Sequence, residues 1–509
     1  MQNNTSTSRR IINFIASPYF FGLVVLVLVV QALWLALSGI YPMAFDEDFH
    51  LGIIKLYAEY TSPFWGAHPP GADAYGAISR DPSYLYHYLM SFPYRIIVAA
   101  TDSTAVQIIS LRLINIAFFT SGLFLWRAAL LKTKASPAIV HLSLLMFILL
   151  PIVPFLAAQI NYDNVFIPLV AAVFLFASRV ATSITNKKTI RAEDLSILII
   201  VCLATSLIKY AFLPIFIAVV LYLSVVIYLH RSHRAKITKG LVKSWKSLSI
   251  VLKASLIVSL LIISGLFAER YLVNMVRYHE PVPDCSKVLS VDQCRQYGPW
   301  GRDYDIASRK PADAPANPVA FSYDWVTGMW LRTFFAVSGP SNEFETKGPL
   351  LVPATGAIVI IIFALISTVI YWRNIWRQYQ KPVIALFLTV IFIYIGLLWI
   401  DRYQSYIKLG QTVALNGRYL LPIILPVMLL GALGVNELFK RHDSFKLGVA
   451  TTFVIIFMLG GGGLTFVLRS NDAWLWNNSI VIKSNQQLRN TIGPVIPGYN
   501  NPGLFMSQN

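Results

Sequence analysis

Long apolar runs separated by short, charge-rich connections dominate the chain. About twenty mostly apolar residues suffice to cross a bilayer as a helix. By that measure the pattern predicts spans at roughly 19–40, 108–131, 138–157, 162–180, 195–209, 211–229, 248–268, 351–372, 382–400, 417–436 and 447–468, of which 138–157 and 195–209 are short or marginal. The expected fold class is an all-α polytopic membrane protein with about 11 transmembrane helices.

Two stretches keep a different rhythm. Residues 49–60 place apolar side chains at helical spacing, with Lys55 and Glu59 as an i,i+4 pair, and read as an amphipathic helix lying on the outer membrane face. The aromatic-rich stretch 82–97 is too polar and too short to span and is expected to lie in the interface as well. Between them Pro63, Gly66, Pro69, Pro70, Gly71 and Gly76 break regular structure. The organisation expected is an N-terminal membrane module, 1–268, whose first outer loop, 41–103, carries the chemistry. A large outer loop, 269–350, follows, then C-terminal membrane helices, 351–468, and a tail, 469–509, placed outside by helix parity. No internal repeat of the transporter kind is present.

Composition supports the membrane reading: of 509 residues 56% are hydrophobic and 13% charged. The net charge of +18 is mainly a topology signal. With the N-terminus inside, the predicted inner connections hold 19 of the 42 basic residues, against Glu193, Asp194, Glu437 and Asp443 among the acids. The excess suits attraction to anionic membrane lipids, and no nucleic-acid motif accompanies it. The basic segment 230–247 reads equally as a solvated linker or as a helix on anionic lipid. Arg9 and Arg10 precede the first apolar run, whose length and lack of a small-residue cleavage site favour a retained helix. The expectation is an integral plasma-membrane protein, with a cytoplasmic N-terminus and an extracytoplasmic active site. Cys202 falls inside a helix and reads as packing, whereas Cys285 and Cys294 share the large outer loop and are disulfide candidates. A zinc site there would lack ligands, His279 being the one obvious addition.

The candidate chemistry centres on Asp46-Glu47-Asp48, three successive carboxylates just past the first apolar run, with His50 four residues after Asp46. A solvated loop start is the plain reading. Ionisable clusters at a membrane boundary otherwise pair, bind or react. A carboxylate there can take the proton from a sugar hydroxyl as its oxygen attacks an anomeric carbon, while a neighbour orients that acceptor. His50 and Asp48 are candidate substrate contacts. Hard oxygen ligands at 46–50 leave magnesium or manganese open as a cofactor, none being certain.

Cations on the same side add to this. Arg418, in Asn416-Gly417-Arg418-Tyr419-Leu420-Leu421-Pro422, starts a predicted helix and is suited to holding a phosphate bidentately, with Tyr419 beside it. Lys209 stands alone between two apolar runs. Snorkelling is the plain reading of each. Asp163, between Tyr162 and Asn164, reads as a helix N-cap or as a second acidic contact to the acceptor. Tyr84, Tyr86, His87 and Tyr88 read as an aromatic belt or as one wall of a substrate cleft.

The string PMAFDEDFHLGIIKLYAEY at 42–60 resembles the opening of the GT-C superfamily of polyprenyl-phosphate-sugar glycosyltransferases, in its protein mannosyltransferase and aminoarabinose transferase branches. It is closer to a bacterial membrane family with a Pro-x-Asp-Glu-x-x-His opening and a downstream Gly-Arg-Tyr-x-x-Pro. Asp46-Glu47 and His50 match the first motif, and 417–422 nearly matches the second. The resemblance implies a GT-C-like fold with interfacial helices in the first outer loop and an inverting transferase activity. Asp46 would be the catalytic base, Glu47 its acceptor-orienting neighbour and Arg418 a donor-phosphate ligand. The partners implied are a polyprenyl-phosphate-linked sugar donor and a glycan, lipid or protein acceptor. The third acid, the long outer loop and the lack of a large C-terminal sugar-binding domain depart from that family. Two rivals stay open: a transporter or lipid flippase, and an O-antigen ligase or polymerase-like enzyme centred on 269–350.

Overall fold

The computed structural model describes residues 2–60, 62–311, 316–334, 337–340, 346–347, 350–413 and 415–499. The chain opens with α1 (Gln2–Ala16), and a new helix, α2 (Pro18–Ser38), starts where the Ser17 hydroxyl accepts the Phe20 N–H and Pro18 takes the first helical position. α2 is 21 residues long and bears no charge. Its Val24, Leu28, Ala32 and Leu35 are fully buried.

The connection after α2 holds α3 (Glu47–Glu59) and α4 (Leu85–Ala100), which pack on each other as the amphipathic spacing predicts. α5 (Thr104–Leu130) returns through the bundle. The 138–157 candidate differs from expectation: it breaks at 149–151 into α6 (Pro137–Ile148) and α7 (Ile152–Ala157). The Pro151 ring and the lost ladder bonds account for the interruption. α8 (Asp163–Thr182) lies between α5 and α9 (Ala192–Ile208). α9 is the other marginal candidate and has 17 residues. α10 (Leu213–Leu229), the basic α11 (Arg234–Ser247) and α12 (Ile250–Phe267) follow, so 230–247 is largely helical.

The large loop folds into short helices: α13 (Val273–Tyr278), α14 (Cys285–Val288), α15 (Val291–Gln296), α16 (Gly298–Arg309) and α17 (Pro318–Phe334). Cys285 and Cys294 form a disulfide, and Cys202 is free and buried. A two-residue antiparallel pairing of Val337–Ser338 with Thr346–Lys347 follows. The C-terminal part comprises α18 (Leu351–Ile370), α19 (Trp372–Gln378), α20 (Lys381–Leu409), α21 (Leu421–Leu438), α22 (Asp443–Gly460), α23 (Gly462–Arg469) and α24 (Ser479–Ile492).

Among the described residues nine helical segments are long and apolar enough to cross a membrane, beginning with Pro18–Ser38 and ending with Asp443–Arg469. The chain is an all-α polytopic integral membrane protein. The expected spans at 138–157 and 195–209 are the two that fall outside the nine.

Candidate functional site

The end of α2 turns into α3 through Phe45 and Asp46, both in the left-handed region at φ 69° and 68°. Two successive non-glycine residues there cost on the order of 1–2 kcal/mol each and persist where surrounding bonds hold them. Those bonds are present. The Phe45 carbonyl accepts from Asn161 Nδ2 at 2.9 Å and from Arg418 Nη1 at 3.0 Å. Asp46 precedes α3 without capping it through its side chain. Its Oδ2 instead accepts from Arg418 Nη2 at 2.6 Å, and the side chain remains 54% exposed while that of Arg418 is 8% exposed.

Glu47 is placed very differently from its neighbour. Its side chain is fully buried against Arg112, whose Nε and Nη2 reach Oε1 and Oε2 at 2.8 and 2.7 Å. The Met43 and Ile160 N–H groups donate to the same two oxygens. Arg112 also donates to the carbonyls of Ala36 and Gly39, so this pair clamps the end of α2, the start of α3 and the 159–162 turn together. Asp48 points to solvent.

The 159–164 turn is a hub. Asn161 Oδ1 accepts from the Asp163 N–H, and Asn115 Oδ1 accepts from Tyr86, Asn161 and Asn164. Asp163 does not cap α8: the N-cap is Tyr162, with no side-chain cap. Asp163 is buried and pairs with Lys209 at 2.6 Å. The Lys209 ammonium lies 4.4 Å from the Tyr162 ring centre and 5.6 Å from that of Tyr419. The guanidinium groups of Arg418 and Arg402 lie 5.6 and 5.7 Å from the same Tyr419 ring. Three cations therefore surround one tyrosine. Each has a carboxylate partner, Asp163, Asp46 and Asp401, yet the buried Nε donors of Arg402 and Arg418 have no acceptor among the described residues. A buried unmade guanidinium bond is costly, and an anion would satisfy it.

His50 and His87 stack at 5.1 Å and share a 2.8 Å hydrogen bond between His50 Nδ1 and His87 Nε2. His87 Nδ1 meets the Ser83 carbonyl, which only accepts, so that nitrogen carries the proton. His87 Nε2 then accepts from His50 Nδ1, which leaves His50 Nε2 as a lone pair, buried and without a partner among the described residues. Burial pushes His87 down to about 3, and it holds His50 well below the usual imidazole range, with His87, Arg418 and Lys209 adding to the effect.

Tyr86 and His87 thus join the network around Asn115 and His50. Tyr84 does not: it turns into a separate apolar cluster with Ile53, Tyr57 and Tyr271, its ring 4.7 Å from the Arg270 guanidinium. The large 269–350 connection reaches the site through Tyr297, whose ring packs on Phe49 at 5.7 Å.

Both Glu47 oxygens are taken, Asp48 is exposed, and His50 engages His87 through Nδ1 while its Nε2 keeps no partner among the described residues. Among the described residues no group of three or more His, Cys, Asp or Glu side chains converges as a metal site.

Arg112, Asn115 and Arg402 escaped the sequence reading. For the first two the signal existed: an arginine and an asparagine inside the apolar run 108–131 are expensive in a membrane and imply partners. Arg402 looked like any other loop charge.

No protein-family model matches the chain, and no curated protein matches it. The site is read on its own geometry.

Proposed function

We propose that the protein is an inverting glycosyltransferase of GT-C-like architecture that moves a sugar from a polyprenyl-phosphate carrier to an acceptor hydroxyl at the extracytoplasmic face of the plasma membrane. Asp46 takes the acceptor's proton as its oxygen bonds to the anomeric carbon. The bond from that carbon to the phosphate oxygen breaks, and polyprenyl phosphate leaves with the electron pair. Arg418 and Arg402 stabilise the departing phosphate, and Lys209 raises the local potential from its buried pair with Asp163. Glu47 acts by position, fixing the turn that presents Asp46.

One observation carries this reading: a half-exposed carboxylate held on Arg418 in left-handed backbone, beside two buried guanidinium donors that lack acceptors. That set provides a base and an anion site within one arginine's reach. The cytoplasmic N-terminus and the outer placement of Asp46 belong to the same proposal and are supported by the distribution of basic residues.

The test is Asp46→Asn with expression and membrane insertion checked. Transfer from a lipid-phosphate sugar is expected to fall about a hundredfold to ten-thousandfold, with loss of one surface glycan in cells. An unchanged glycan profile would sink the assignment of the base. Direct use of nucleotide sugars by the purified protein would sink the donor class.

A transporter reading has one observation in its favour. The breaks in α6/α7 and α22/α23 meet, with Gly461 against the Leu149 carbonyl, and discontinuous helices are common at transport sites. Substrate accumulation in sealed vesicles, abolished by a bulky residue at Gly461 and indifferent to Asp46→Asn, would favour it.

A further inference from the structure

A cavity of about 480 Å³ opens at the end of the bundle opposite Asp46, between α1, α6, α21 and α22. That volume lies in the range of ligand sites, about 300–1,000 Å³. Its wall is apolar, including Ile12, Leu142, Met146, Val435, Phe453 and Val454. Its charged lining is Arg9 midway along α1, Lys134 after α5, and Asp443 and Lys446 at the start of α22, with Ser136, Ser143, Gln378 and Asn436 as further polar lining. α1 is fastened over the cavity by the Ser8–Ser444 hydroxyl contact at 3.1 Å.

The charges at this mouth are unequal. Lys446 reaches Asp443 at 3.4 Å, whereas Arg9 and Lys134 are exposed and have no carboxylate partner among the described residues. An apolar slot rimmed by two unneutralised cations, in a membrane-spanning chain, matches a molecule with an acyl chain and an anionic head. We propose that this cavity is a binding site for one anionic phospholipid drawn from the leaflet opposite Asp46, its chain in the slot and its phosphate between Arg9 and Lys134. The site is independent of the transferase reading: it shares no residue with the Asp46 cluster and would lock α1 against α6 and α22.

The experiment is native mass spectrometry of the delipidated full-length protein titrated with phosphatidylglycerol or phosphatidylcholine. One phosphatidylglycerol is expected to be retained in preference to phosphatidylcholine. Arg9→Gln with Lys134→Gln should weaken it about twenty-fivefold, roughly fivefold for each surface cation. Ala450→Phe, which fills the slot, should abolish retention; should that variant not fold, the exposed charge pair decides alone. Equal retention of the two lipids would overturn the proposal, as would an unaffected charge variant. Displacement by millimolar inorganic phosphate would make this a free-anion site, and preference for an isoprenoid phosphate would make it a carrier site; either outcome replaces the phospholipid.

Discussion

Asp46 and Glu47 are adjacent in sequence and opposite in circumstance, and side-chain environment alone separates their roles. Asp46 keeps Oδ1 free of partners among the described residues and faces solvent, whereas Glu47 gives both oxygens to Arg112 and two backbone donors. Removing one partner of a buried ion pair leaves the other uncompensated and costs about 3–5 kcal/mol. Glu47→Gln should therefore lose stability in detergent unfolding, whereas Asp46→Asn should lose activity at near-normal stability. Equal destabilisation by both variants would contradict this division. The histidine pair makes a second test at this scale. In the unfolded chain an imidazole takes its proton near 6.5, whereas folded His87 does so only at about 3. The unfolded state therefore binds more protons throughout that interval. Stability is full above about pH 6.5 and falls on acidification, as the unfolded chain takes up the protons that the folded pair refuses. The unfolding midpoint of the wild type should drop more between pH 7.5 and 5.5 than that of a His50→Gln, His87→Gln double variant. The acidic triplet was visible in the sequence. Its split was not, because the partner that neutralises Glu47 lies 65 residues away.

At the scale of elements, the site depends on close approaches that only small residues permit. Gly417 lies where a Cβ would sit 2.4 Å from the Thr333 nitrogen of α17, and the Thr333 hydroxyl meets the Gly417 carbonyl. The backbone of α17 cannot give way cheaply, so a methyl group at 417 pushes the following turn, and Arg418 with it, away from Phe45 and Asp46. Gly417→Ala should cut transfer at least tenfold by misplacing the guanidinium, an effect of the size that small misplacements produce. Wild-type activity in that variant, with the Arg418–Asp46 contact kept, would refute the coupling. The Gly-Arg-Tyr string was legible as a motif, but the reason for its glycine lies on a helix some eighty residues upstream. The same applies to the interrupted helices. The last apolar run, 447–468, contains glycines 460–463, and the helix breaks there at Gly461, lodged against Leu149 where α6 also stops. Each break has its own local cause, and neither run alone shows that the two meet. The α6 break directs the chain through α7 into the Asn161 turn, and in this way serves the site.

Across the whole molecule, the two ends of the bundle differ in charge and in what they hold. One end carries Asp46, Asp163 and the guanidinium groups around Tyr419. The other carries the lipid-sized cavity and α11, with Arg234, Lys236, Lys239, Lys243 and Lys246 on one short helix. Apolar run lengths and the bias in basic residues made the gathering of basic segments such as α11 away from Asp46 legible, because a bilayer constrains segment length and loop charge directly, whereas the cavity left no sign in the sequence. Helix count was less legible, since a marginal run becomes a shorter helix or a broken one according to its neighbours. The division predicts a labelling result. Cys202 is buried and Cys285 is bonded to Cys294, so intact cells should incorporate almost no membrane-impermeant thiol reagent into the wild-type chain. A cysteine at Ser308, exposed on α16, should label from outside without permeabilisation. One at Ser247, exposed at the end of α11, should label only after the membrane is opened. The reverse pattern would turn the molecule over, placing Asp46 in the cytoplasm. There a lipid-phosphate donor is no longer required by topology, and a soluble nucleotide sugar becomes the donor to test.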